Sequence, residues 1–170
     1  ARMDFDLRPD DAQLLIVDVQ ERVTTAIPTI AADGDCARAL EILIRGCALL
    51  AVPTLFSQQV PDKLGATCAP LRAAAPEAAI RDKRAFSCVD DDGIREYLAE
   101  RERPLLLVAG IEAHICVLAT VDDLLRRGYR VAVAADAVAS RSEAHRDHAL
   151  ACMRQMGALC APVESILFRL

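Results

Sequence analysis

The sequence predicts an α/β domain in which a mostly parallel sheet is covered by helices on both faces. Three observations carry that prediction. Short continuous apolar runs recur along the chain, each about as long as a strand buried on both sides. Between them the apolar residues change to a helical period. Finally, 54% of the residues are hydrophobic but only 4% are aromatic, with no Trp. A core of Ala, Leu, Val and Ile suits helices packed on a sheet better than an aromatic-rich sandwich.

The first apolar run is Leu14-Leu15-Ile16-Val17, ending at Asp18. Val52 to Ser57 is the second, Ala78 to Ile80 a weaker third, and Leu105 to Gly110 the fourth and strongest. Val131 to Ala135, ending at Asp136, is the fifth, with a short sixth at Ala158 to Pro162. Leu40, Leu43, Ile44, Cys47 and Leu50 recur with helical spacing, and Asp35 is available as N-cap. Ile94 and Leu98 mark a second helix, ended before Pro104. Ile115, Leu118, Val121, Leu124 and Leu125 form another apolar stripe, with Gly128 placed to terminate it. Ser140 and Glu143 have capping-box spacing ahead of a last helix that stops near Gly157. Two long connections, Glu21 to Gly34 and Gln58 to Pro76, are candidate walls of a site.

A chain of 170 residues reads as a single domain over 1–170. A net charge of −5, with the cations scattered among acids, does not point to nucleic acid. No apolar run approaches the ~20 residues a membrane span needs. Ala1 to Asp10 is charged and lacks the apolar segment of a secretory signal. The seven cysteines include no C-x-x-C pair, so they suggest a reducing, cytoplasmic setting without disulfides or a metal framework. No G-x-G-x-x-G or P-loop follows a strand, and no cofactor is expected. His145 and His148 lack a third ligand, and Asp90 to Asp92 and Asp122-Asp123 read as solvated or helix-starting acids. The apolar surfaces of the later helices make a homo-oligomer the expected assembly.

Ligands of open parallel sheets bind beyond the carboxyl ends of the strands, where strand order reverses. Asp18 ends the first strand, Lys83 follows the third and Cys116 lies just beyond the fourth. With strand order 3-2-1-4-5-6 the three meet in one crevice. A thiolate attacks an acyl carbon or nitrile, a carboxylate takes and returns the proton, and an ammonium stabilises the assembly. Cys116 at a helix start is expected to favour its thiolate, and so to be the most reactive of the seven thiols. The turn leaving Gly110 offers backbone N–H groups as an oxyanion hole. Each residue alone has a plainer reading: Asp18 as a turn former, Lys83 as one of the charged run Arg81-Asp82-Lys83-Arg84, Cys116 as a core residue. Ser57 and Gln59 could contact a small-molecule substrate. His114 could line the pocket, although a solvated helix-start histidine is its plainer reading. Phe86 serves equally as pocket wall or core.

Three segments resemble the isochorismatase-like cysteine hydrolases. Leu14 to Gln20 is similar to their opening strand with its Asp-x-Gln ending; Lys83-Arg84-Ala85-Phe86-Ser87 is similar to their lysine motif. Gly110 to Val117, with Thr120 following in register, is similar to their nucleophile motif. Gly128-Tyr129, Asp136-Ala137 and Met153 to Gly157 continue a likeness that spans nearly the whole chain, closest to the isochorismatase domain-containing subgroup. The resemblance implies a three-layer α/β/α, Rossmann-like domain with a six-stranded mostly parallel sheet. It implies Asp18 as general base, Lys83 as its charged partner and Cys116 as nucleophile, a catalytic triad, with Gln20 of the Asp-x-Gln ending as a further substrate contact. It also implies a cis peptide between Ile111 and Glu112, aiming the N–H groups of Glu112 and Cys116 at an oxyanion.

Two departures narrow the expected chemistry. Nicotinamidases of this superfamily carry an Asp/His metal cluster after the second strand, where this chain reads Ser57-Gln58-Gln59-Val60-Pro61-Asp62-Lys63. Some true isochorismatases lack the cysteine, which is present here. The expectation is therefore a metal-independent cysteine hydrolase of a small amide or related acyl compound, working through a thioester-type intermediate. The alternatives are a vinyl-ether hydrolase using Asp18 as acid and a non-catalytic scaffold of the same fold.

Overall fold

The computed structural model describes residues 6–31 and 34–170. Ala1 to Phe5 of the charged N-terminal stretch, and Ala32 and Asp33 of the first long connection, lie outside the described residues. In chain order the elements are β1 (Ala12–Val17), α1 (Glu21–Thr24), α2 (Asp35–Leu49), β2 (Thr54–Gln59), α3 (Pro61–Leu64), α4 (Ala69–Ala74) and β3 (Ala79–Lys83). There follow α5 (Asp92–Glu100), β4 (Leu105–Ile111), α6 (Leu118–Arg126), β5 (Arg130–Ala139), α7 (Glu143–Met156), β6 (Leu159–Ala161) and α8 (Val163–Leu167).

The strands form one six-stranded sheet in the order β3-β2-β1-β4-β5-β6, every pairing parallel. Strand alternation divides the core in two. Leu14 and Ile16 of β1 pack with Leu40, Leu43 and Ile44 of α2 and with Leu71 of α4 and Ile166 of α8. Leu15 and Val17 pack on the opposite face with Ile94 of α5, Val121 and Leu124 of α6 and Met153 of α7. Because β1 and β4 are covered on both sides, every one of their residues is buried, which is why β4 and, after the buried Gln13, the rest of β1 read as continuous apolar runs. β3 is an edge strand with Arg81 and Asp82 exposed, and that explains its weaker apolar signal.

Several local expectations need correction. α2 begins at Asp35 itself, with Gly34 as N-cap and no side-chain capping bond. α7 begins at Glu143 behind Ser142, and the Ser140 hydroxyl is instead hydrogen-bonded with His114 Nδ1 at 2.9 Å. The sequence could not separate these, because a cap and a tertiary partner use the same hydroxyl. β5 continues past Asp136 to Ala139 through an irregular register, Val108 facing Val133 but Gly110 facing Val138. Asp136 Oδ1 accepts the Val163 N–H at 2.8 Å, so this acid holds the start of α8. Gly128 and Gly157 follow α6 and α7 with positive φ, as their positions suggested.

The strand order reverses between β1 and β4, and the two approach most closely where Val17 pairs with Gly110. A Cβ on Gly110 would lie 2.2 Å from the Val17 carbonyl oxygen, and its φ is +119°. Only glycine fits there. The close approach brings the ends of both strands, and the residues that follow them, to one place.

Candidate active site

Asp18 is the first residue beyond β1 and adopts a left-handed conformation, φ +51°. Asp tolerates this region better than most side chains, and the bend carries its carboxylate out of the sheet plane. The residue is 4% exposed. Its N–H meets both the carbonyl and the hydroxyl oxygen of Ser57, at 3.2 and 3.3 Å. The Ser57 hydroxyl in turn donates to Asp18 Oδ1 at 2.7 Å.

Lys83 is the last residue of β3, two strands away across β2. Its side chain is fully buried, and Nζ lies 2.7 Å from Asp18 Oδ2. Nζ also donates to Gln59 Oε1 and to the backbone oxygens of Ala85 and Phe86, at 3.0 and 3.1 Å for the latter two. An ammonium has three hydrogens, and these acceptors take them. Oδ2 consequently makes no directed hydrogen bond although it touches the cation. Burial pushes the ammonium down, but Asp18 and the neighbouring thiols of Cys88 and Cys116 outweigh it, and the net shift is upward. Lys83 is therefore no member of a solvated charge run.

Cys116 lies in a π-helical turn, Ala113–Val117, between β4 and α6. Such turns are rare and frequent at functional sites. The peptide bond between Ile111 and Glu112 is cis. Glu112 is held by Arg141, whose N–H and Nε donate to its Oε2 at 2.9 and 3.1 Å. Cys116 is 8% exposed and belongs to the same core face as Val17 and Cys88. The expectation of a resting thiolate fails. Burial, and next the Asp18 carboxylate, push the thiol up to about 12, against the pull of Lys83. The resting set is thus a thiol, a carboxylate and an ammonium in contact range. Its labelling behaviour follows: with iodoacetamide at neutral pH the exposed Cys152 should react first. Cys116 should gain speed steadily as pH rises towards about 12. Peptide mapping by mass spectrometry reads both, and a Cys116 rate that levels off near neutrality would contradict it.

The other candidates divide. Gln20 is fully buried, and its amide is engaged by the chain itself: Nε2 donates to Gln59 O and Gly65 O at 3.0 and 2.7 Å, and Oε1 accepts the Gln59 N–H at 2.7 Å. It ties the connection after β2 to the end of β1. Ser57 is 1% exposed and faces Asp18. Gln59 holds Lys83 and donates to Arg84 O at 2.8 Å. Phe86 is 64% exposed, which removes the core reading. His114 is half-buried between Ser140 and the ring of His145, 4.7 Å away between centroids, rather than freely solvated. Burial lowers its pKa, and His145 and Arg141 add to the effect while Glu112 opposes it.

Two contributors were not visible as site residues in the sequence. Cys88 is wholly buried and lies 3.4 Å from Ser57 Oγ. Thr120, one turn beyond Cys116, accepts the Cys88 N–H at 3.0 Å and so fixes the segment after Lys83 to α6. Thr120 was marked only by its register with the Gly110 to Val117 motif, one helical turn beyond Cys116; nothing in the spacing of Cys88 marks it. Among the described residues no group of three or more His, Cys, Asp and Glu is placed to hold a metal ion, and no helix is long and apolar enough to cross a membrane.

A thiol beside a carboxylate with an open oxygen, backed by a fixed cation, can form a nucleophile by internal proton transfer. Comparison with known proteins places this geometry in context. The isochorismatase domain model matches residues 12–165. Mouse isochorismatase domain-containing protein 2A is 36% identical over 163 residues, covering 95% of this chain and 76% of the relative. The structure of MAR1 ribonuclease from Caenorhabditis elegans superposes with a TM-score of 0.86 at 33% identity, over 100% of this chain and 84% of the other. YcaC from Escherichia coli, described as an octameric hydrolase of unknown specificity, gives a TM-score of 0.93 at 21% identity, over 100% and 84% of the two chains.

Proposed function

The chain belongs to the isochorismatase family, as a hydrolase of the isochorismatase-like cysteine hydrolase kind, and from that premise we propose that it cleaves a small amide or related acyl substrate through Cys116, Asp18 and Lys83. The observation that carries this reading is the buried Asp18 carboxylate, with Oδ2 2.7 Å from the Lys83 ammonium and the Cys116 thiol interacting with the same group. A buried carboxylate oxygen left open beside a thiol is a proton acceptor in waiting. Asp18 takes the Cys116 proton as the sulfur attacks the carbonyl carbon. The N–H groups of Glu112 and Cys116 hold the oxyanion, as preorganised donors do in acyl transfer. Asp18 then protonates the leaving amine, and water activated by the same carboxylate releases the acid from the thioester. Lys83, 2.7 Å from Oδ2, holds the Asp18 carboxyl group in place through both transfers.

Phe86 and His114, which reach solvent, are assigned to the pocket wall, while the partly buried Gln59 is engaged with Lys83 and Arg84. The acidic balance of the chain, −5, favours a small molecule over the polyanion that the name of the nematode relative suggests for that protein. Self-association belongs to the same reading, since Ile42, Leu49 and Phe168 expose large apolar side chains. Incubation with a panel of small amides and activated esters, followed by intact-mass and peptide mass spectrometry, is expected to find an acyl group on Cys116. An adduct confined to Cys152, or turnover with no adduct at any pH, would remove the covalent route.

A further inference from the structure

We propose that Ser57 is a positioning residue that decides which oxygen of Asp18 handles the Cys116 proton. The inference rests on the Cys116–Asp18–Lys83 reading above. It starts from the surroundings of one hydroxyl. Ser57 Oγ lies 3.3 Å from the Asp18 backbone nitrogen, 3.4 Å from Cys88 Sγ and 2.7 Å from Asp18 Oδ1.

A hydroxyl carries one hydrogen and two acceptor lone pairs. The Asp18 N–H can only donate. Cys88 is also a donor at neutral pH, because burial, and after it Asp18, push its thiol up to about 11. Two protons therefore point at Ser57 Oγ, and its own hydrogen has one remaining direction, Asp18 Oδ1. The arrangement is closed, and it leaves Oδ1 occupied. Lys83 Nζ donates to Gln59, Ala85 and Phe86 and meets Oδ2 at 2.7 Å as its counter-charge, so Oδ2 keeps a lone pair for a further proton.

The two oxygens thus have different duties. Oδ1 is the anchor and Oδ2 the working atom. In the acylation step the Cys116 S–H bond breaks, an O–H bond forms at Oδ2, sulfur bonds to the carbonyl carbon and the carbonyl electron pair moves to its oxygen. When the C–N bond then breaks, the same Oδ2 hydrogen passes to the departing nitrogen. No rotation of the carboxyl group is needed between the two transfers. Without the Ser57 hydroxyl the carboxylate can turn about its Cβ–Cγ bond, and misplacement of about 1 Å in such a site costs on the order of 100-fold in rate.

The test uses p-nitrophenyl acetate as acyl donor, reading the first-turnover release of nitrophenolate, with Cys116→Ala subtracted as background. Ser57→Ala is expected to slow acylation about 100-fold. Ser57→Thr, which restores the hydroxyl, should return it to near the wild-type rate. If Ser57→Ala does not fold, Ser57→Cys supplies a similar volume with a weak donor and should fall between serine and alanine-like rates. Wild-type acylation in Ser57→Ala or Ser57→Cys, or a Ser57→Thr variant that melts like wild type yet acylates no faster than Ser57→Ala, would overturn the role of Ser57. If Asp18→Asn loses acylation in that case, the triad stands without this inference; an Asp18→Asn variant with undiminished acylation overturns both.

Discussion

Replacing Cys116 by alanine is expected to lower turnover by about 10⁴-fold or more while the protein still folds, since removing a covalent nucleophile disables the whole catalytic unit. The fold should survive because the change removes one sulfur from a turn whose flanking residues Ala113 and Val117 are already seated in the core. The cost should be of the size of a small core truncation, about 1 kcal/mol, or a few degrees in Tm for a domain of this length. Steady-state kinetics on an amide from the panel, with a thermal melt of the same sample, read both quantities. Turnover within tenfold of wild type, in a variant that melts normally, would move the chemistry to Asp18 as an acid with no covalent intermediate. That is the vinyl-ether route.

The second large effect is on stability. Lys83→Met should destabilise the protein by about 3–5 kcal/mol, because it leaves the Asp18 charge buried without its cation. That is a substantial part of the ~5–15 kcal/mol that holds an ordinary domain together. Met approximates the length and the apolar body of lysine, so the loss reports charge more than packing. It also frees the oxygens of Ala85 and Phe86, which Lys83 Nζ now satisfies. The double variant Asp18→Asn/Lys83→Met removes both charges and should recover most of the stability but none of the activity. Urea unfolding of Lys83→Met, Asp18→Asn and the double variant measures the coupling directly; equal destabilisation in Lys83→Met and the double variant would show that the ion pair contributes nothing.

The pH dependence of that difference has a definite sign. The folded-state ammonium is raised above the ordinary lysine value of 10.5. A raised base contributes stability that is fully present below its unfolded pKa and is lost as pH climbs through the folded one. The gap between wild type and Lys83→Met should therefore be flat through neutrality and close only beyond pH 10.5.

Much of the site was legible because its members sit where strands end. Asp18 and Cys116 follow the two runs with the most continuous apolar character, and those runs are the central pair of the sheet. Burial on both faces writes itself into sequence as unbroken hydrophobicity, and the polar residue that stops the run then marks the sheet's carboxyl edge. Lys83 was harder, since β3 is an edge strand whose charged neighbours Arg81 and Asp82 hide a buried ammonium among solvated ones. Only its place in a motif distinguished it.

Side-chain partnerships were beyond this reading. Ser57 faces Asp18 because Val17 pairs with Ser57 across β1 and β2, a register that neither strand's sequence specifies. Gln20 and Gln59 proved to hold backbone and Lys83 for the same reason. The state of Cys116 was misjudged because position at a helix start is local, whereas burial and a neighbouring carboxylate are tertiary and stronger.

By itself, then, the amino-acid order determined the alternation of strands and helices, and it placed a carboxylate, an ammonium and a thiol at strand ends. Periodicity is a property of neighbouring residues, and hydrophobic burial enforces it. Only the assembled sheet decided which hydroxyl meets which oxygen, where the hydrogens of Lys83 point, and whether the sulfur rests as thiol or thiolate. Those outcomes depend on ångström distances between strands remote in sequence and on how much water the packed layers exclude.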